Sequence, residues 1–175
     1  MNVFILNSGR CGSTTFIKAC RHINNYTAAH ESNAKQPGPD RLIYPDNHIE
    51  ADNRLTWFLG RLDRQYANNA IYIHLKRNTD NTVKSFMKRS DFGIMKAYRE
   101  GIYMTNDSDN LETFVEDYIN TVNSNIQHFL KNKTHTMSFK LEQAKQDFME
   151  FWELIQAEGN LQSALDEWDI PYNQS

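Results

Sequence analysis

A short apolar run that feeds a glycine- and hydroxyl-rich loop, and then a helical pattern, leaves this chain few folds to choose from. Asn2 to Asn7 carries Val3, Phe4 and Ile5 and reads as a buried strand. It passes into Ser8-Gly9-Arg10-Cys11-Gly12-Ser13-Thr14-Thr15, after which Phe16, Ile17, Cys20 and Ile23 share one helical face. Small residues let backbone N–H groups turn inward, and the start of a helix adds the positive end of its dipole. The hydroxyls of Ser13, Thr14 and Thr15 add further donors. Strand, loop and helix in this order predict a cradle for a phosphate or sulfate group. An ordinary tight turn before a helix is the plainer alternative.

The loop departs from the G-x-x-x-x-G-K-[ST] pattern of ATP- and GTP-hydrolysing proteins. Gly12 follows Gly9 by only three residues, Ser13 rather than Lys follows Gly12, and the cation, Arg10, sits inside the loop. A second polar stretch, Lys76 to Phe86, follows the clearest central strand, Ala70 to Leu75. Arg77 lies at the carboxyl end of that strand and Ser85 comes eight residues later, about two turns into the next helix. Thr79 is expected to cap that helix, with Asp80 in its first turn.

Arg10-Cys11-Gly12-Ser13-Thr14-Thr15-Phe16 resembles the 5′-phosphosulfate loop of the sulfotransferases, which transfer a sulfuryl group from 3′-phosphoadenosine 5′-phosphosulfate (PAPS). In that family a basic residue, one further residue and a glycine precede Ser/Thr residues and an apolar or aromatic one. Arg77 and Ser85 are similar in spacing to the pair with which the family reads the 3′-phosphate. The resemblance covers the frame from about residue 2 to residue 88. It implies PAPS as cosubstrate and 3′-phosphoadenosine 5′-phosphate (PAP) as product. It also implies Gly9, Arg10, Cys11, Gly12, Ser13, Thr14, Thr15, Arg77 and Ser85 as nucleotide-binding residues, with Arg10 catalytic as well.

The family places an acidic general base soon after the second strand, and Glu31 matches by position. An alcohol or amine acceptor must lose a proton as it attacks sulfur. His30 is the second candidate because its unperturbed pKa suits the role, and Glu50 is an outside one. The family's late loop of glycine and lysine over the adenine has no convincing copy here. The acceptor is left open: a small molecule or a carbohydrate, with a lipid or a peptide tyrosine as further alternatives. The rival readings are a P-loop kinase-like phosphotransferase and an inactive nucleotide-binding module.

Length suits a single domain over residues 1–175. A net charge of −3 offers no broad basic surface to nucleic acid or anionic membrane. The six histidines and two cysteines lack zinc-ligand spacing, so no metal is expected, and Cys11 and Cys20 read as reduced thiols. Without a basic leader or a long apolar run, the expected setting is cytoplasmic.

Strands and helices alternate along the rest of the chain. A second strand is expected at Tyr26–Glu31, a loop at Ser32–Asp40 and a brief strand at Leu42–Tyr44. Residues 46–54 read as a polar extended segment, with His48, Glu50 and Asp52 on one side and either acceptor recognition or a hydrogen-bonded link into the next helix as its expected role. A helix follows over Leu55–Tyr66 and a short one over 94–103, then a turn at Asn106–Asp109. Asp109 and Glu112 are expected to box the start of a long helix running to about Lys131. Thr134–Phe139 reads as a strand, residues 144–155 as a helix ended by Gly159, and Asn160 as the cap of a last short helix. The predicted fold is α/β, a three-layer sandwich with a mainly parallel central sheet flanked by helices. The resemblance makes it the P-loop-NTPase-like fold of sulfotransferases.

Overall fold

Strand β1 (Asn2–Leu6) is buried at all five positions, and its side chains divide strictly between two cores. Val3 and Ile5 point into one, Phe4 and Leu6 into the other. A strand covered on both faces must be apolar throughout and carry its pairing on both edges. The computed structural model, which describes residues 1–89, 91, 93–106 and 109–172, gives β1 that central place.

Five strands form one parallel sheet in the order β2-β3-β1-β4-β5, with β2 at Thr27–His30, β3 at His48–Ala51, β4 at Ala70–Lys76 and β5 at Thr136–Lys140. Register runs from Asn2 opposite Ala70 to Leu6 opposite His74, and from Val3 opposite Ile49 to Ile5 opposite Ala51. Helices α1 (Ser13–Cys20), α6 (Ala144–Leu154) and α7 (Leu161–Asp166) cover one face. Phe16 is the wedge of that core and meets Phe139, Phe148, Phe151 and Trp168 edge to face. Helices α2 (Leu59–Tyr66), α3 (Thr79–Met87), α4 (Gly93–Lys96) and α5 (Leu111–Leu130) cover the other, where Phe4 and Tyr72 pack against Tyr66 and Phe129. This is the expected α/β three-layer arrangement, with every strand parallel.

Several local expectations are corrected. Leu42–Tyr44 is not a strand: Gly38–Leu42 makes a 3₁₀ turn with Pro39 in its first turn, and the third strand is His48–Ala51. That strand lies between β2 and β1, so its polar side chains are buried and bonded to one another and to β2. His48 Nε2 meets Glu50 Oε2 at 3.0 Å, and its Nδ1 lies 2.7 Å from Thr27 Oγ1. The helix expected over residues 55–66 is split into a 3₁₀ turn, Asn53–Trp57, and α2. Asn78, not Thr79, caps α3, its side chain accepting from Asn81 N at 3.1 Å. Helix α5 has Asn110, not Asp109, at its N-cap. The turn expected at 106–109 falls partly on residues 107 and 108, outside the described residues.

Of the two signals expected at the carboxyl end of the chain, the Asn160 cap is present, whereas α6 ends at Leu154 with Ile155 at its C-cap and Gln156 in left-handed backbone at φ 53°, so Gly159 does not end that helix. Asn160 accepts from Ser163 N at 3.0 Å and starts α7. Gly159 sits at φ +146 where a Cβ would lie 2.1 Å from the His22 carbonyl oxygen, so only glycine lets this connection close against the end of α1. Among the described residues, no helix is long and apolar enough to cross a membrane.

Candidate functional site

The carboxyl ends of all five strands open toward a cavity of about 900 Å³. Ligands of open parallel sheets sit in this position, because the strand-to-helix turns converge there.

The loop after β1 is held from behind. Asn7 is fully buried and its Oδ1 accepts from Gly9 N at 2.8 Å, while the Tyr118 hydroxyl donates to the Ser8 carbonyl at 2.8 Å. Gly9, Arg10 and Gly12 all have positive φ, at 95, 59 and 88°. For Arg10 this left-handed backbone costs about 1–2 kcal/mol, and it turns the Arg10 carbonyl toward Arg77, whose Nη1 donates to it at 3.1 Å. Gly12 is the N-cap of α1 and brings no capping side chain. The first-turn amides of a helix have no intrahelical acceptor, and here Ser13, Thr14 and Thr15 line the cavity at that turn.

Cys11 faces the other way. Its thiol is buried, donates to the Gly9 carbonyl at 3.1 Å and is pushed up to about 11, first by burial. It is an inert packing residue of the loop rather than a nucleophile. The Gly9 amide serves Asn7, so the backbone that the loop turns toward the cavity is that of the helix start.

Across the cavity, β4 delivers Arg77 and α3 delivers Ser85. Arg10 Nε donates to Ser85 Oγ at 2.9 Å, which joins the two polar stretches of the sequence directly. The Arg10 pKa is lowered, first by burial and then by repulsion from Arg89 and Arg77. Guanidinium groups crowded in this way favour an anion between them.

The candidate bases lie on the other side of the loop. His30 ends β2, and its Nε2 is 2.9 Å from Ser13 Oγ. Glu31, at φ 54°, follows it, and its N–H extends the ladder to the Ala51 carbonyl at 3.0 Å. Arg54 Nη1 holds Glu31 Oε1 at 2.9 Å. Arg54 is itself placed by Asp52, which accepts from its backbone N–H at 2.8 Å and forms a buried ion pair with Arg41. Glu50, the outside candidate, does not line the cavity. It is fully buried and accepts from Ser32 N at 2.8 Å, Ser32 Oγ at 2.6 Å and His48.

The cavity thus brings together Gly9, Arg10, Gly12, Ser13, Thr14, Thr15, His30, Glu31, Arg77 and Ser85, and leaves Cys11 outside. It adds residues that the sequence reading passed over. Asn53 and Arg54 enter after β3, Lys84, Lys88 and Arg89 from α3 and its end, and the segment Trp168–Tyr172 along the α1 side. Asn81, Lys84, Ser85, Lys88 and Arg89 follow the helical repeat, a signal present in the sequence but masked by its ordinary polar look. Trp168–Tyr172 carried no local signal, because its position depends on the packing of Trp168 against Phe16, Phe139 and Phe148. Among the described residues the cavity wall carries six cationic side chains, Arg10, Arg54, Arg77, Lys84, Lys88 and Arg89, against two carboxylates, Glu31 and Asp169. Among the described residues, no group of three or more His, Cys, Asp and Glu side chains is placed to hold a metal ion. Compared with known proteins, the chain matches no family model and no curated sequence.

Proposed function

We propose that this protein is a sulfotransferase that moves a sulfuryl group from PAPS to a hydroxyl or amine of a small-molecule or carbohydrate acceptor. The observation that carries the reading is the junction of two motifs 75 residues apart, Arg10 Nε on Ser85 Oγ at 2.9 Å, at the mouth of an uncapped helix. The fit of charge supports it. A 3′-phosphate carries nearly two negative charges and the 5′-phosphosulfate two more, so PAPS brings about four to a wall rich in cations and poor in carboxylates.

Each residue has a role within that chemistry. The first-turn amides of α1 and the hydroxyls of Ser13, Thr14 and Thr15 hold the 5′-phosphosulfate. Arg77 and Ser85 hold the 3′-phosphate. Acceptor oxygen or nitrogen forms the new bond to sulfur as the bond from sulfur to the bridging 5′-phosphate oxygen breaks. Arg10 neutralises the charge that develops on that oxygen, and PAP leaves. Glu31 takes the acceptor proton, with His30 the alternative base on the same side of the loop. Arg54 holds one carboxylate oxygen of Glu31 and so fixes the direction of the other.

Calorimetric titration with PAP and with ATP, on the wild type and Arg77→Ala, tests the reading. Tight PAP binding, weak ATP binding and a loss of PAP affinity in the variant are expected. Equal preference for ATP, with turnover that needs magnesium, would replace the sulfotransferase by a kinase-like phosphotransferase. PAP binding without transfer from PAPS to any acceptor in a broad screen would leave a nucleotide-binding module.

A further inference from the structure

The wall opposite the loop holds more positive charge than Arg77 alone explains. Ser85 lies in the last turn of α3 and Arg89 in the turn that follows it, both half-buried and both on the cavity wall. Arg10 reaches Ser85 from the loop, and Arg77 reaches the Arg10 carbonyl from β4. Arg10, which reaches Ser85, is repelled by both Arg77 and Arg89, so arginines from three separate elements share this part of the wall. The carboxylates of the same cavity are engaged elsewhere, Glu31 with Arg54 and Asp169 with Lys145.

A phosphate inside a diester or an anhydride link exposes two non-bridging oxygens and one charge. A terminal phosphate monoester exposes three oxygens and nearly two charges. A planar Arg fork and a hydroxyl satisfy two or three of the lone-pair directions and one charge. A second Arg in the turn after α3 completes the third oxygen and the second charge.

We infer that Arg89, supplied from the turn after α3, is the specificity-determining residue for the 3′-phosphate. The inference rests on the PAPS reading. It assigns to Arg89 the discrimination between a nucleotide with a terminal phosphate at the 3′ position and one with a hydroxyl there. The backbone and hydroxyls at the start of α1 bind the 5′ end and are indifferent to that difference.

The test is calorimetric titration of the full chain with PAP and with adenosine 5′-phosphate, for wild type, Arg77→Ala, Arg89→Ala and Arg89→Lys, with a thermal melt of each. The expected result is a loss of PAP affinity in Arg89→Ala of about tenfold to a hundredfold, the usual worth of a charge-assisted hydrogen bond. Affinity for adenosine 5′-phosphate changes by less than about twofold, and Arg89→Lys recovers part of the loss because it keeps charge without the fork. If wild type prefers PAP and Arg77→Ala abolishes the preference while Arg89→Ala keeps it, the role of Arg89 is overturned and the PAPS reading stands. Equal losses for both nucleotides in Arg89→Ala also overturn it. Without a PAP preference in the wild type, the PAPS reading falls and takes this inference with it.

Discussion

The two crossovers that build the site, β1 into α1 and β4 into α3, solve the same problem in opposite ways. Helix α1 begins at a glycine with left-handed backbone and no capping side chain, so its start presents backbone rather than a side chain to the cavity. Helix α3 begins at Asn78, whose side chain already accepts from Asn81 N. Its start is partly closed, and it works instead through side chains further along, Ser85, Lys88 and Arg89. One crossover offers backbone dipoles at a fixed place, and the other offers movable cations. A ligand with two unlike anionic ends suits that division, a compact group at the uncapped helix and a dianion among the arginines.

Four substitutions probe the contrast, beginning with the one that should matter most. Glu31 belongs to neither crossover, so Glu31→Gln should lower turnover by about a hundredfold or more while leaving PAP affinity nearly unchanged. A variant with normal turnover would move the base to His30. Arg77→Ala removes a fork from the side-chain crossover, and PAP affinity should fall by about tenfold to a hundredfold with little change in the melting temperature. Equal loss for adenosine 5′-phosphate would show that the two crossovers are not divided as described. Gly12→Ala forces a Cβ into a left-handed position 2.7 Å from the Leu141 Cδ1 tip. Leu141 can turn aside, so the backbone strain dominates, and urea unfolding should show a stability loss of about 1–2 kcal/mol, with weaker binding of every 5′-phosphorylated nucleotide. Asn78→Ala removes only a cap, which should cost about 1 kcal/mol of stability and leave PAP affinity within about threefold. Were the cap to matter as much for PAP as Arg77 does, α3 would bind through its amides after all.

What could be read from the chain was whatever the chain states locally. Val3 to Leu6 and Ala70 to Leu75 are apolar on both faces, and a strand with that pattern has to be central. The glycines and hydroxyls after β1, and the spacing of Arg77 and Ser85, placed those residues on one cavity wall before any coordinates. Strand β3 was hidden because His48 and Glu50 look like loop residues. Their burial is tolerable only through Thr27 and Ser32, partners that pairing with β2 supplies. Glu50 looked like a possible base for the same reason that it is not available as one: its oxygens are occupied by groups distant in sequence. Trp168 to Tyr172 reaches the site only through the packing of a small aromatic core, and no residue-level pattern encodes that approach.

The central position of β1 also has a meaning in time. Of the five strands β1 is synthesised first, yet its two neighbours are residues 48–51 and 70–76. Until those segments arrive, the loop after β1 has no sheet to hold its backbone and no Arg77 to grip the Arg10 carbonyl. Non-local parallel pairing of this kind slows folding, since chain closure precedes the contacts that reward it. The glycine-rich loop is therefore synthesised before the strands that hold it and is assembled only after they arrive. A nascent chain halted before Ala70 should be blind to PAP, and the acquisition of PAP binding would mark the moment at which β4 docks.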